Sequence, residues 1–195
     1  ASSVRQTLSS YFVTQAIDKF GGAARYSRIV GAIDDSEPAI TRNTTTLRMR
    51  KDFQIVANTP AAYEVCFEQG FAIDTGSAVV QSTGFQVLID GVNDGNTYYF
   101  EDNTRGQLYL YRFGEDGAKV LIDREFGTVD YVKGEIMIGY TTAETFISTV
   151  DPLNTIRVKA VPLGQDIVAK KSVYLELDID NSKIAAVVDT NLLSS

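Results

Sequence analysis

Thr44-Thr-Thr-Leu-Arg-Met-Arg-Lys51 is the stretch on which the fold turns. Leu47 and Met49 share one face of it and Thr46, Arg48 and Arg50 the other, the two-residue period of a half-buried strand. Before it the period is helical. Val4, Leu8, Tyr11, Phe12, Ala16, Ile17 and Phe20 recur at helical spacing behind a Ser2 or Ser3 cap, and Gly21-Gly22 supplies a stop. Tyr26, Ile29, Val30 and Ile33 give a second, shorter helix over 24–33, ended by Asp34-Asp35-Ser36 and Pro38.

After it the alternating period persists. Strand character recurs over residues 63–67, 84–90, 97–101, 107–113, 119–122, 135–138, 156–161 and 173–179, with one helical turn expected over 143–149. Asn93-Asp94-Gly95-Asn96, Asn103 to Gly106, Glu115-Asp116-Gly117 and Lys133-Gly134 suit tight reversals, so the strands read as hairpins. Strands do not alternate with long helices, which argues against a parallel α/β sheet. The expected fold class is therefore α+β, an N-terminal helical hairpin packed on a β-rich, mainly antiparallel body. Residues 1–56 hold the helices and first strand and residues 57–195 the body, as two portions or one continuous domain, with Ala57-Asn-Thr-Pro60 the softest boundary.

Composition narrows the chemistry. Of 195 residues 44% are hydrophobic, enough for a core, and Lys+Arg 18 against Asp+Glu 25 leaves a net charge of −7, adverse to general binding of nucleic acid or anionic membrane. The chain has no histidine, which excludes Ser-His-Asp and Cys-His catalysis within it and any imidazole metal site. Its one cysteine, Cys66, sits in an alternating stretch and reads as a packing residue. No run is long and apolar enough for a membrane helix, and the first residues lack a signal pattern. The chain opens on Ala1 rather than Met and enters a helix at once, as a piece of a longer protein would.

Asp34-Asp35, Glu115-Asp116 and Asp178, Asp180 and Asn181 suit solvated turns better than a paired-carboxylate hydrolase. Asp90, Asn93, Asp94, Asn96, Glu101 and Asp102 offer oxygen ligands around a loop but not the ordered spacing of a calcium hand, so a plain turn is the reading and no metal or cofactor is assigned. Arg42, Arg48, Arg50 and Lys51 form the basic cluster, either a solvated face or a patch for an acidic protein partner. Leu108 and Leu110 lie on one face of a strand and Tyr109, Tyr111 and Phe113 on the other, which calls for cover on both sides, from the core or a second subunit.

Five segments read together resemble a known family. They are Gly22-Ala-Ala-Arg-Tyr-Ser-Arg-Ile-Val-Gly-Ala-Ile-Asp34 with Ala39-Ile-Thr-Arg-Asn-Thr-Thr-Thr-Leu-Arg-Met-Arg-Lys51, Gln81-Ser-Thr-Gly-Phe85, Gly127-Thr-Val-Asp-Tyr-Val-Lys-Gly-Glu-Ile136, Gln165-Asp-Ile-Val-Ala169 and Tyr174-Leu-Glu-Leu-Asp178. In this order they resemble the C-terminal part of the baseplate wedge protein of T-even-type, cyanophage-like contractile-tailed bacteriophages. The resemblance implies a structural virion protein of the tail baseplate, assembled in the host cytoplasm, that forms a homodimer and joins other wedge proteins around the tail hub. It implies no enzyme activity. The interface residues expected from pattern are Tyr26 and Ile29 on the second helix, Arg48 and Arg50 on the first strand, and Leu108, Tyr109, Leu110, Tyr111 and Phe113. A carbohydrate- or receptor-binding tail module, using Tyr98, Tyr109 or Tyr111 as a platform, is the alternative.

Overall fold

The computed structural model describes residues 2–17, 22–73, 76–139, 145–149, 154–168 and 184–185. Along the chain run α1 (Ser2–Thr14), β1 (Ala23–Ala24), α2 (Tyr26–Asp34), β2 (Met49–Gln54), β3 (Tyr63–Cys66), β4 (Val80–Ser82) and β5 (Gln86–Ile89). They are followed by β6 (Tyr98–Asp102), β7 (Gln107–Phe113), β8 (Lys119–Asp130), β9 (Glu135–Ile138), β10 (Thr145–Thr149), β11 (Thr155–Ala160) and β12 (Ile167–Val168). They sort into two compact units, Ala1–Thr45 with Asp166–Ser195, and Thr46–Gln165.

The first unit contains both helices. Val4, Leu8 and Phe12 line the buried stripe of α1, and Ile29 and Ile33 that of α2. Helix α1 stops at Thr14, before the expected glycines, because Ala16 adopts a left-handed conformation with φ 51. The Ala16 and Ile17 amides then donate back to the Val13 and Phe12 carbonyls, and Ile17 is buried beside the helix end. This is the Schellman arrangement with alanine where glycine is usual. Helix α2 has no side-chain cap from Arg25; instead Asp166, far along the chain, accepts the Tyr26 amide at 2.7 Å. Next to it, β12 pairs antiparallel with β1.

The second unit is an antiparallel sheet of eight strands in the order β2-β11-β4-β6-β7-β8-β9-β3. Its two end strands face each other across a seam, so the sheet is nearly closed. The seam is bridged by side chains: Lys51 Nζ donates to the Cys66 carbonyl, the Phe53 and Tyr63 rings lie 5.5 Å apart, and the Val56 amide donates to the Tyr63 hydroxyl at 2.9 Å. Inward-facing residues alternate along each strand, as in β11, where Ile156, Val158 and Ala160 are buried and Thr155, Arg157 and Lys159 are not. The rings of Phe85, Phe100 and Phe126 meet inside at 6.0 to 6.1 Å. Strands β5 and β10 form a separate two-stranded ladder.

Two expectations are corrected. The fold is mainly β, not α+β: the described residues contain two helices, with β1 between them, and do not show a helical hairpin packed on the β body. The alternating period extends further than expected. In particular the helical turn expected over 143–149 is, over Thr145–Thr149, the strand β10, whose threonine, phenylalanine and isoleucine favour extended chain and which pairs with β5. The expected strand over 173–179 lies outside the described residues.

Candidate interaction surface

The outward faces of β2 and β11 bring four cations together. Alternation sends Arg50 and Asp52 outward from β2, with the exposed Arg48 just before its first residue, and Arg157 and Lys159 outward from β11. The register sets Lys159 directly opposite Arg50 and Arg157 directly opposite Asp52. Arg50 grips Asp52 with a two-pronged hydrogen bond, Nε to Oδ1 at 2.9 Å and Nη2 to Oδ2 at 2.8 Å. Arg157 Nε reaches the same carboxylate only at 3.5 Å and is buried without a hydrogen-bond acceptor. The Arg50 hydrogen bond, reinforced by the charges of Arg50 and Arg157, outweighs burial and holds the Asp52 carboxyl below the usual carboxylate range. Lys159 and the exposed Arg48 make no ion pair among the described residues.

Along the same outer row, Gln81 on β4 and Glu101 on β6 follow Lys159 in register, and Lys119 binds Glu101. Beyond them Tyr99, Tyr111 and Phe113 form an aromatic group with ring centroids 5.4 to 5.7 Å apart, and Lys119 Nζ sits 4.7 Å above the Tyr111 ring. Burial, with smaller contributions from the Glu101 charge and Tyr99, pushes the Tyr111 hydroxyl up to about 12. Phe113 at the end of this group is 47% exposed, and Val120, Leu121 and Ile122 on the adjoining part of β8 are exposed as well.

The expected interface residues therefore occupy different environments. Arg48, Arg50 and Phe113 are exposed, Tyr26 and Tyr109 half-buried, Tyr111 nearly buried, and Ile29, Leu108 and Leu110 lie in the cores of their units. Arg157 and Lys159 belong with Arg48 and Arg50 but were not singled out in the sequence. Their alternation was legible; the pairing of β11 with β2 that gathers all four was not.

The acidic candidates are engaged in turns and structural bonds. Asp34 accepts from Asn43 Nδ2, and Asp116 from the Ala118 amide at 3.0 Å, while Asp178, Asp180 and Asn181 lie outside the described residues. In the 93–96 loop, Asn93 accepts the Gly95 amide and Asp94 accepts the Asn96 amide and the Tyr98 hydroxyl. Asp102 points inward and accepts the Val79 and Val80 amides at 2.6 Å each, the Thr104 amide at 3.0 Å and the Tyr131 hydroxyl at 2.7 Å. Among the described residues no group of three or more His, Cys, Asp or Glu is arranged to hold a metal ion, and no helix is long and apolar enough to cross a membrane.

Comparison with known families bears on the first unit. Residues 1–52 match the family described as baseplate structural protein gp6, C-terminal domain III. This part of the chain is similar to a bacteriophage baseplate protein. The gp6 match ends at Asp52, inside β2, so it takes in α1, β1, α2, Arg48 and the first residues of β2 but stops short of the rest of the eight-stranded sheet. It agrees with the resemblance to the C-terminal part of a baseplate wedge protein. No curated protein matches the chain.

Proposed function

We propose that the chain is a structural subunit of a phage tail baseplate wedge, located in the virion tail, that self-associates as a homodimer and binds other wedge proteins around the tail hub. The observation that carries this is the gp6 domain III match over residues 1–52. The subunit works by presenting preformed surfaces, and its role is scaffolding rather than catalysis. Two of its carboxylates are committed to structure: Asp102 satisfies four donors at once, and Asp52 neutralises arginines. The glycan-platform alternative loses most of its surface, since Tyr98 and Tyr111 are 2% and 7% exposed.

Gold-labelled antibody against this chain, applied to particles of the phage that encodes it, is expected to decorate the baseplate end of the tail. Label confined to capsids or fibre tips would overturn the assignment. Light scattering behind size exclusion tests self-association separately: a dimer, twice the 21.4 kDa of the chain, is expected to persist at micromolar dilution. A strict monomer would remove the homodimer from the proposal and leave the baseplate assignment to the labelling result.

A further inference from the structure

We infer that the outer face of β2 and β11 is a docking site for an acidic segment of a partner protein, with Arg48, Arg50, Arg157 and Lys159 as its anchors. The inference deepens the baseplate reading by giving one partner's chemistry, and it rests on that reading for its biological setting.

Three observations carry it. First, Lys159 and Arg50 stand directly opposite each other on paired strands. Cross-strand neighbours of this kind have Cβ atoms about 5 Å apart, and like charges there destabilise a sheet. Second, Asp52 is the one carboxylate that the described residues of β2 and β11 put on this face. Asp52 is committed to Arg50 through both oxygens, so Arg157 Nε stays without a hydrogen-bond acceptor, and Lys159 and Arg48 are unpaired among the described residues. Third, the patch runs against the charge of the chain, which is −7 overall. A row of cations kept on a repulsive register in an acidic protein is explained by a complement that arrives from outside.

The occupant is specified by the same geometry. The Arg50–Asp52 fork already shows a carboxylate seated on the patch, and a partner's Asp or Glu would add to Lys159, Arg48 and the exposed part of the Arg157 side chain the charge-assisted bonds that Asp52 alone does not provide. Nucleic acid fits less well. The aromatic group of Tyr99, Tyr111 and Phe113 lies strands away, beyond Glu101, so bases have no stacking platform beside the cations, and the acidic chain repels a long polyanion. The basic character ends at Gln81 and Glu101, which limits the footprint to β2, β11 and the edge of β4.

The test uses the whole chain and a fluorescein-labelled oligoglutamate peptide, read by fluorescence anisotropy at low salt, with a single-stranded DNA oligonucleotide of matched charge as competitor. The peptide is expected to bind, and Arg48→Glu with Lys159→Glu is expected to weaken binding by about tenfold or more. The same charge change at Arg105 and Arg124, both exposed and without ion pairs among the described residues, is expected to leave it within about twofold. Lys159→Glu alone carries a second signature: it places opposite charges across the Arg50 rung, so thermal stability should rise while peptide binding falls. Lack of binding at low salt, equal weakening by the Arg105 and Arg124 pair, or stronger binding of the oligonucleotide than of the peptide would each overturn the inference. None of these readouts depends on where antibody labels the virion, so the two proposals fail separately.

Discussion

At the scale of single residues, Asp102 shows how burial decides what a carboxylate does. In the sequence it is one of several oxygen donors around a polar loop; in the fold it is 4% exposed and ties the start of β4, the β6–β7 turn and Tyr131 to one point. Nothing local distinguishes it from Asp94, which faces solvent, because the difference lies in the strands that pack around it. Asp102→Asn puts an NH2 group among donors and is expected to cost about 3 kcal/mol in urea unfolding, whereas Tyr131→Phe, which removes one charge-assisted bond, should cost about 2 kcal/mol. The tyrosines set the alkaline limit. Burial is the main cause that pushes the Tyr98 and Tyr111 hydroxyls up to about 12, and Tyr131 is raised as well. A folded-state value above the ordinary one means that the stabilisation is full below pH ~10 and is lost as pH rises toward about 12. Spectrophotometric titration should show these phenols ionising together with the loss of tertiary structure.

At the scale of elements, β7 and β9 fall where periodicity and turn residues put them, over Gln107–Phe113 and Glu135–Ile138. Each lies beside a tight hairpin turn, so the local code and the tertiary pairing agree. Strand β4, with three residues, carries too little local signal and forms because partner strands are waiting. The expected stop of α1 at Gly21-Gly22 failed for a related reason: alanine rarely takes the left-handed position that Ala16 occupies, so composition points past the actual end. The β8–β9 turn offers a clean test. Gly134 has φ 71, and a Cβ there would fall on the Gln69 carbonyl, whereas Gly117 in the β7–β8 turn has φ 75 with open space around it. Gly117→Ala should cost about 1 kcal/mol, the conformational penalty alone. Gly134→Ala should cost clearly more, because main chain must move; paired denaturant melts will show whether the two differ.

At the scale of the molecule, the chain leaves the first unit at Thr45, builds the second, and returns at Asp166 to complete the β1–β12 ladder. The helices and hairpins could be read from the sequence, but this return could not, since it depends on pairings between residues separated by most of the chain. Residues 46–165 expressed alone are expected to fold, because their core of Phe85, Phe100, Leu108, Leu110, Ile136, Ile156 and Val158 is internal to that unit. A single cooperative thermal transition would bear this out; a broad, non-cooperative melt would count against it. The route of the chain also has a mechanical consequence. It enters the second unit at Thr46 and leaves it at Gln165; just inside, Met49 and Ala160 are partners on the last rung of the β2–β11 ladder, and between that rung and the exit Val161, Pro162 and Leu163 are held by Val79, Phe71 and Gly70. Tension along the backbone therefore has to free the segment from Val161 to Leu163 first, and only then opens the ladder rung by rung, like a zip, instead of shearing all of its rungs at once. Loaded where the chain enters and leaves it, this unit would yield in stages, a short clasp first and a zip after it.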